Sequence, residues 1–497
     1  EHPVLGLGEE HVANLRSEIR HRNPRSKLFI PMFPEAEVQP LLEIFLGEIN
    51  IMLPIFDEQS LFNLSSRFPL DSKIHDPAWW ACLNAVLAMT IQLKTLNDSF
   101  RSISEIAWSF FKNSFCVYEE LIATPSILAI QALLLMAMFF GGSTDTMTMN
   151  LLLCSAARMV RTSGLHKEAV STTLTLAETD ERRRIFWAAF VLEVTASLHS
   201  GSPSALFEHR LEAPFPVNWQ LEEGDRACFT SRIKLLIIEH KAQRFLYRLH
   251  HSIDTTESVE EALNLREEIR DWMQQTPGLQ PWDPDLAKTI RHDLPIVTLH
   301  CTLYRCADII NRALREVLDQ PLAFISPQPC RDILQLSQHV GSISYTDLWC
   351  LLQDLLCAVI TLLSHILHCP DNNGVFGNIA LIRQLVRFIR EKQREGCDLD
   401  RLLCFCIVLE RIARTAAIKA VLTVSLGGYD SSLVQNLSNL LVTSDHMQLV
   451  KGLLGNTPIL KAEASIVFSL ILIDGIKDSG GLISLGPKLL TGSTYGF

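Results

Sequence analysis

From Glu178 to Pro216 the chain reads ETDERRRIFWAAFVLEVTASLHSGSPSALFEHRLEAPFP, a fixed order of charge, apolar run and breakers that decides the fold. Thr179 is placed to act as N-cap, with Asp180 and Glu181 in a first turn where the helix dipole favours acids. Arg182, Arg183 and Arg184 follow directly. From Ile185 the chain turns apolar, with Phe186, Ala189, Phe190, Glu193 and Ser197 on one helical face and Trp187, Val191, Val194 and Leu198 on the next. Few positions remain for water, so the spacing predicts one buried helix with a charged head. Gly201 and Pro203 stop it, and Pro214 and Pro216 hold the loop beyond.

Outward from this stretch the grammar repeats. Helices are expected over 37–50, 77–93, 103–121, 127–140, 147–163, 231–249, 259–274, 295–318, 330–340, 348–369, 379–395 and 399–423. Further segments follow at 431–441, 446–454 and 462–476. No alternating strand pattern lasts more than a few residues, and helix lengths vary too much for a solenoid. The chain reads as all-α, a single large multi-helix domain over residues 35–478. Residues 1–34 are assigned to a linker or N-terminal extension and 479–497 to a C-terminal tail. With Glu1 rather than Met opening the sequence, a fragment lacking its upstream part is expected.

Composition narrows the function. Lys and Arg number 44 against 55 Asp and Glu, a net charge of −11, which is the wrong sign for gripping a duplex. The longest apolar runs, 127–140 and 466–473, fall short of the roughly 20 residues a membrane helix needs, and no secretory header is visible. Thirteen cysteines scattered through apolar helical runs read as reduced intracellular thiols.

Enzyme and metal signals fail in turn. Dinucleotide, phosphate-loop, nucleophile-elbow and zincin motifs are all missing from the sequence. So is the adjacent Asp pair of terpene-synthase-like helices, and a di-iron bundle finds only Glu18-x-x-His21. His365, His368 and Cys369 gather at a helix end, where zinc could use the two histidines, but Asp371 is the only further ligand nearby. Dipole-favoured helix-end histidines are the simpler reading. No catalytic residue, metal or cofactor is assigned to this chain.

The order E-x-x-x-R-R-R-x-F-W, an acid near the helix end, then G-x-P and P-x-P, resembles the middle homology region of the fungal zinc binuclear-cluster transcription factors. Two further segments are similar: LLLCSAARMVRTSGLHK, closing on Gly164, Leu165 and His166, and LLEIFLGEINIMLPIFDEQSL from Leu41. The likeness is specific over roughly residues 40–216. Where the family commonly has Asp in the long helix and Arg before the proline, this chain has Glu193 and Ser202.

The resemblance implies a nuclear regulatory domain that answers to an effector and controls transcription by RNA polymerase II. Zinc and DNA contact would belong to an upstream six-cysteine module. A hydrophobic small molecule, co-regulator proteins and a second copy of the chain are the implied partners. A dimerisation scaffold of the same fold is the alternative, and an all-helical enzyme the third reading. Arg182, Arg183, Arg184, Trp187, Glu193, Gly201 and Pro203 serve as structural signature residues, the arginines as a local ion-pair network rather than a phosphate site. Alanine at Arg183 or Trp187 is expected to cost stability. For an effector, Met89, Leu93, Leu134, Met138, Phe190, Val194, Phe405 and Phe468 are candidate pocket residues, although Met and Phe at helical spacing usually just pack.

Overall fold

A computed structural model describes residues 28–66, 76–98, 105–141, 146–168, 174–200, 203–206, 213–216, 223–249, 255–276, 294–318, 327–336, 345–368, 374–394 and 400–425. Among these the regular elements are helical throughout. They run α1 (Glu35–Ile44, continued by a π-helical turn Phe45–Ile49), α2 (Glu58–Ser66), α3 (Pro77–Asp98), α4 (Glu105–Phe115), α5 (Tyr118–Ala123), α6 (Ile127–Gly141), α7 (Thr146–Thr162) and α8 (Leu176–Ser200). After these come α9 (Glu223–Leu249), α10 (Thr255–Gln275), α11 (Leu294–Leu318), α12 (Gln328–Leu336), α13 (Tyr345–His368), α14 (Val375–Arg394) and α15 (Asp400–Ser425). The segments expected helical at 431–441, 446–454 and 462–476 lie outside the described residues, as do residues 1–27.

Local chemistry sets the helix ends. Asp57 caps α2 by accepting the Ser60 N–H at 2.8 Å, and Asp76, just before Pro77, caps α3 through the Trp79 N–H at 2.9 Å. Ser126 Oγ accepts the Ala129 N–H at 3.1 Å to open α6. The expectation of Thr179 as the cap of the long helix is corrected. The helix begins at Leu176, and Thr175 and Glu178 form a reciprocal capping box, Glu178 N–H to Thr175 Oγ1 at 3.2 Å and Thr175 N–H to Glu178 Oε2 at 2.8 Å. Thr179 loses because a T-x-x-E pair satisfies two orphan donors at once.

The single helix expected over 103–121 is also divided. Val117 leaves helical geometry (φ −106°, ψ 15°), which separates α5 from α4. Tyr118 Oη and Ser155 Oγ then meet at 2.9 Å, joining α5 to α7.

Among the described residues three apolar clusters make the interior. The first, across α1 to α8 and the start of α9, surrounds α6, whose residues 129–137 are all buried, so that a helix apolar on every side has neighbours on every side. A second joins α9, α10 and α11, and a third runs from α11 through α15. Residues 28–33 lie on α4: Asn113 accepts the Phe29 N–H at 2.9 Å and donates to the Ile30 carbonyl at 2.8 Å. Phe33 meets Phe110 edge to face at 5.0 Å.

Candidate functional site

α8 runs through the first cluster, and four of its side chains, Arg182, Arg184, Trp187 and Glu193, leave the helix to hold segments distant in the chain. The G-L-H turn that ends α7 comes first. Gly164 sits at φ 65°, its N–H reaching the Arg161 carbonyl at 3.1 Å while Leu165 N–H reaches the Val160 carbonyl at 3.0 Å. This is a Schellman closure, with Leu165 and Val160 both buried beneath it. A side chain at position 164 would be strained by that φ alone, which accounts for glycine. Arg182 then donates to the Ser163 carbonyl at 2.9 Å, placing a cation on the negative end of α7. His166 is half-buried beside the turn.

Two residues further along α8, Arg184 donates to Asp57 Oδ2 at 2.8 Å. Burial pushes the Asp57 carboxyl up, but the Ser60 hydrogen bonds and the Arg184 guanidinium outweigh it and hold it below the usual range. Arg183 is different: its nearest acid is Asp180, 3.5 Å away on the same helix. Trp187 donates its indole N–H to the Pro214 carbonyl at 3.1 Å and stacks on Phe215 at 4.8 Å. Glu193, buried, accepts the Ala205 N–H at 2.7 Å, the Ser204 hydroxyl at 2.6 Å and the Ser197 hydroxyl at 3.1 Å. The loop after α8 is thus fixed at two points by α8 itself. Pro203 is exposed, and Gly201 and Ser202 lie outside the described residues.

A surface cleft of about 390 Å³ opens where α2, the start of α6 and the first turns of α8 meet. Phe56, Leu64, Ile127 and Leu128 form its apolar wall, and Gln131 and Glu181 are among its polar groups. The wall is held from behind. Asn50 accepts the Ile55 and Phe56 N–H groups at 2.9 and 3.1 Å, and Gln131 donates to the Ile55 carbonyl at 3.0 Å. Burial pushes the Glu181 carboxyl up; Arg184 opposes this, and Asp57 and Glu178 add to it.

The candidate pocket residues do not converge there. Met89, Leu134, Phe190 and Val194 are buried members of the first cluster, with Met138 half-buried against it, whereas Phe405 belongs to the third. Leu93 is half-buried, and Phe468 lies outside the described residues. The cleft went unread in the sequence because its lining comes from three separated segments. The signal available was polar: Asp57, Gln131 and Glu181 each sit beside an apolar run. Among the described residues no group of three or more His, Cys, Asp or Glu is arranged to hold a metal ion, and no helix is long and apolar enough to cross a membrane.

Residues 42–277, which hold α8 and the cleft, match the fungal specific transcription factor domain. Over 435 residues the chain is 26% identical to an ABC-transporter-regulating transcription factor of Aspergillus fumigatus, covering 79% of this chain and 48% of that protein. A protein of the same description from Aspergillus oryzae gives the same identity and coverage. The Fusaridione A cluster transcription factor of Fusarium heterosporum is 24% identical over 312 residues, 57% of each chain. The chain spans about half the length of the first two relatives. The family is one of transcription factors, not of enzymes.

Proposed function

Starting from residues 42–277 as a fungal specific transcription factor domain, we propose that this chain is the effector-responsive part of a nuclear regulator that controls transcription by RNA polymerase II. DNA contact, and with it zinc, belongs to a zinc-cluster module outside the chain; the net charge of −11 agrees with that division of labour. Residues 35–478 act as one regulatory domain. A small molecule with a hydrophobic body biases two arrangements of the helices, exposing or hiding a surface for co-regulator proteins, and can do so only by binding one arrangement more tightly.

The observation that carries this reading is the wiring of α8. Arg182, Arg184, Trp187 and Glu193 join it to four separate segments, so a displacement of α8 is felt at all of them. That the two Aspergillus relatives regulate ABC transporters supports a response to small compounds. Thermal-shift titration of the purified chain with hydrophobic metabolites tests it: saturable stabilisation is expected. Absence of any stabilisation, together with tight dimerisation, would instead favour a scaffold.

A further inference from the structure

The cleft at the head of α8 has two unlike sides. Its wall of Phe56, Leu64, Ile127 and Leu128 is apolar and braced, so little ordering is left to be done when a ligand arrives. Its size falls in the range usual for small-molecule sites. The electrostatics on the other side are one-signed. Asp57 and Glu178 both stand close enough to Glu181 to act on its charge, against the guanidinium of Arg184. Of these, Asp57 is taken up by Ser60 and Arg184, and Glu178 by Thr175. Glu181, on the cleft lining, accepts no hydrogen bond among the described residues.

We propose that this cleft binds a small amphipathic cation, an organic amine whose ammonium meets Glu181 and whose aromatic or aliphatic body lies on Phe56, Leu64 and Leu128. The proposal rests on the effector-response reading and names the class of molecule sensed. An ammonium against a half-buried carboxylate forms a charge-assisted hydrogen bond, which Gln at the same position cannot match. It also connects the ligand to α8. Glu181 lies one turn before Arg184, and Arg184 holds the Asp57 cap of α2, so a cation at Glu181 shifts the balance of the contact that joins the two helices. The start of α6, where Ser126 caps the Ala129 N–H, opens on the same cleft and would favour an anion instead, so the sign of the ligand charge is the point to test.

Isothermal titration calorimetry of the whole 497-residue chain with tryptamine and with phenethylamine, each beside the carboxylate of the same skeleton, decides it. Saturable one-to-one binding is expected for at least one amine and for neither carboxylate. Glu181→Gln is expected to weaken that binding by about tenfold or more. Asn63→Trp, which fills the cleft from its exposed rim, is expected to abolish it, with both variants still melting in one cooperative transition. Failure of both amines to bind, equal binding by the carboxylates, or undiminished binding to both variants would overturn the proposal. A reporter gene separates the two levels: an amine that binds at the cleft but leaves transcription unaltered refutes effector sensing and keeps the site. An effector response retained by both variants does the reverse.

Discussion

Two arginines join distant parts of this chain, and they do it under opposite conditions. Arg184 pairs with one acid, Asp57, at 2.8 Å on the edge of an open cleft, and the acid's side chain keeps 20% of its exposure. Arg305 on α11 is sealed: it clasps both oxygens of Glu239 at 2.6 and 2.9 Å and donates to Asp354 at 2.6 Å. Burial works against the Arg305 charge, but Asp354 and Glu239 outweigh it and hold the guanidinium charged. Glu239 belongs to α9, inside the family-matched segment, while Arg305 and Asp354 lie beyond its end at residue 277. The second contact therefore staples the matched segment to the helices that follow it. The difference teaches that a pair near water can be re-weighted by a ligand, whereas a sealed triad can only be kept or lost.

Breaking the sealed side should have the largest effect. Arg305→Ala leaves Glu239 and Asp354 buried without their cation, at a cost of roughly 3–5 kcal/mol. Chemical denaturation should show that loss, while replacement of all three residues together by Met, Leu and Leu should recover most of it. If the triple variant is as unstable as the single one, the triad does more than neutralise itself.

Acid should separate the two regions next. Burial, with Arg244 adding to it and Glu239 opposing it, holds His240 down at about 4, and burial alone does the same for His300. Both must charge on unfolding, so their contribution is complete above pH 6.5 and is lost as pH falls from there to about 4. The loss is at most about 3 kcal/mol for each, since water screens part of the full shift. Around the cleft the sign differs: the lowered Asp57 gives up stability only as pH falls below its ordinary 3.8, and the raised Glu181 is relieved by protonation. Hydrogen exchange at pH 5 should show α9 and α11 losing protection before α2 and α8. Simultaneous loss would mean that the two regions open as one unit.

What the sequence made legible follows from how local the cause is. The all-α class and most helix spans come from apolar periodicity, which is written in neighbouring residues. The Gly164 turn was legible as a motif because a Schellman closure uses six consecutive residues, here Val160 to Leu165. The triad was not, since Arg305 lies 66 residues from Glu239 and 49 from Asp354. Only Asp354 stands as a lone charge in an apolar run, LWCLLQDLLCAVI; Glu239 and Arg305 share theirs with Lys234, Lys241 and Asp308, so the sequence does not single them out. The Met and Phe positions offered as pocket lining were drawn from helical spacing alone, which marks core equally well; Phe190 and Phe405 consequently fall in different clusters.

A smaller effect is expected at Glu193. Glu193→Gln keeps the shape but removes the charge from hydrogen bonds to Ser204, Ala205 and Ser197, at about 1–3 kcal/mol. Limited proteolysis should then cut the loop near Ser204 faster than in the unaltered chain. Unchanged cutting would show that Trp187, through Pro214 and Phe215, holds the loop without help.

The smallest effects test the three consecutive arginines, which the sequence presents as alike. Expecting Arg183→Ala to cost stability treated position 183 as part of the contact between helices, and the geometry reassigns that part to its neighbours. Among the described residues Arg183 pairs with Asp180 alone, at 3.5 Å within α8, and a pair of that kind is worth under about 0.5 kcal/mol. Arg184 bridges to α2 with its side chain 7% exposed, so its removal should cost about 1–2 kcal/mol and leave Asp57 to cap α2 alone. The physical difference is helical phase: at 100° per residue, neighbours cannot share a face, so only one of the two can look toward α2. Urea melts of the two alanine variants and their double should place nearly all of the loss on Arg184 and show additivity. A larger loss at Arg183 would mean that α8 is rotated from the orientation described, and with it the face that Glu181 offers to the cleft.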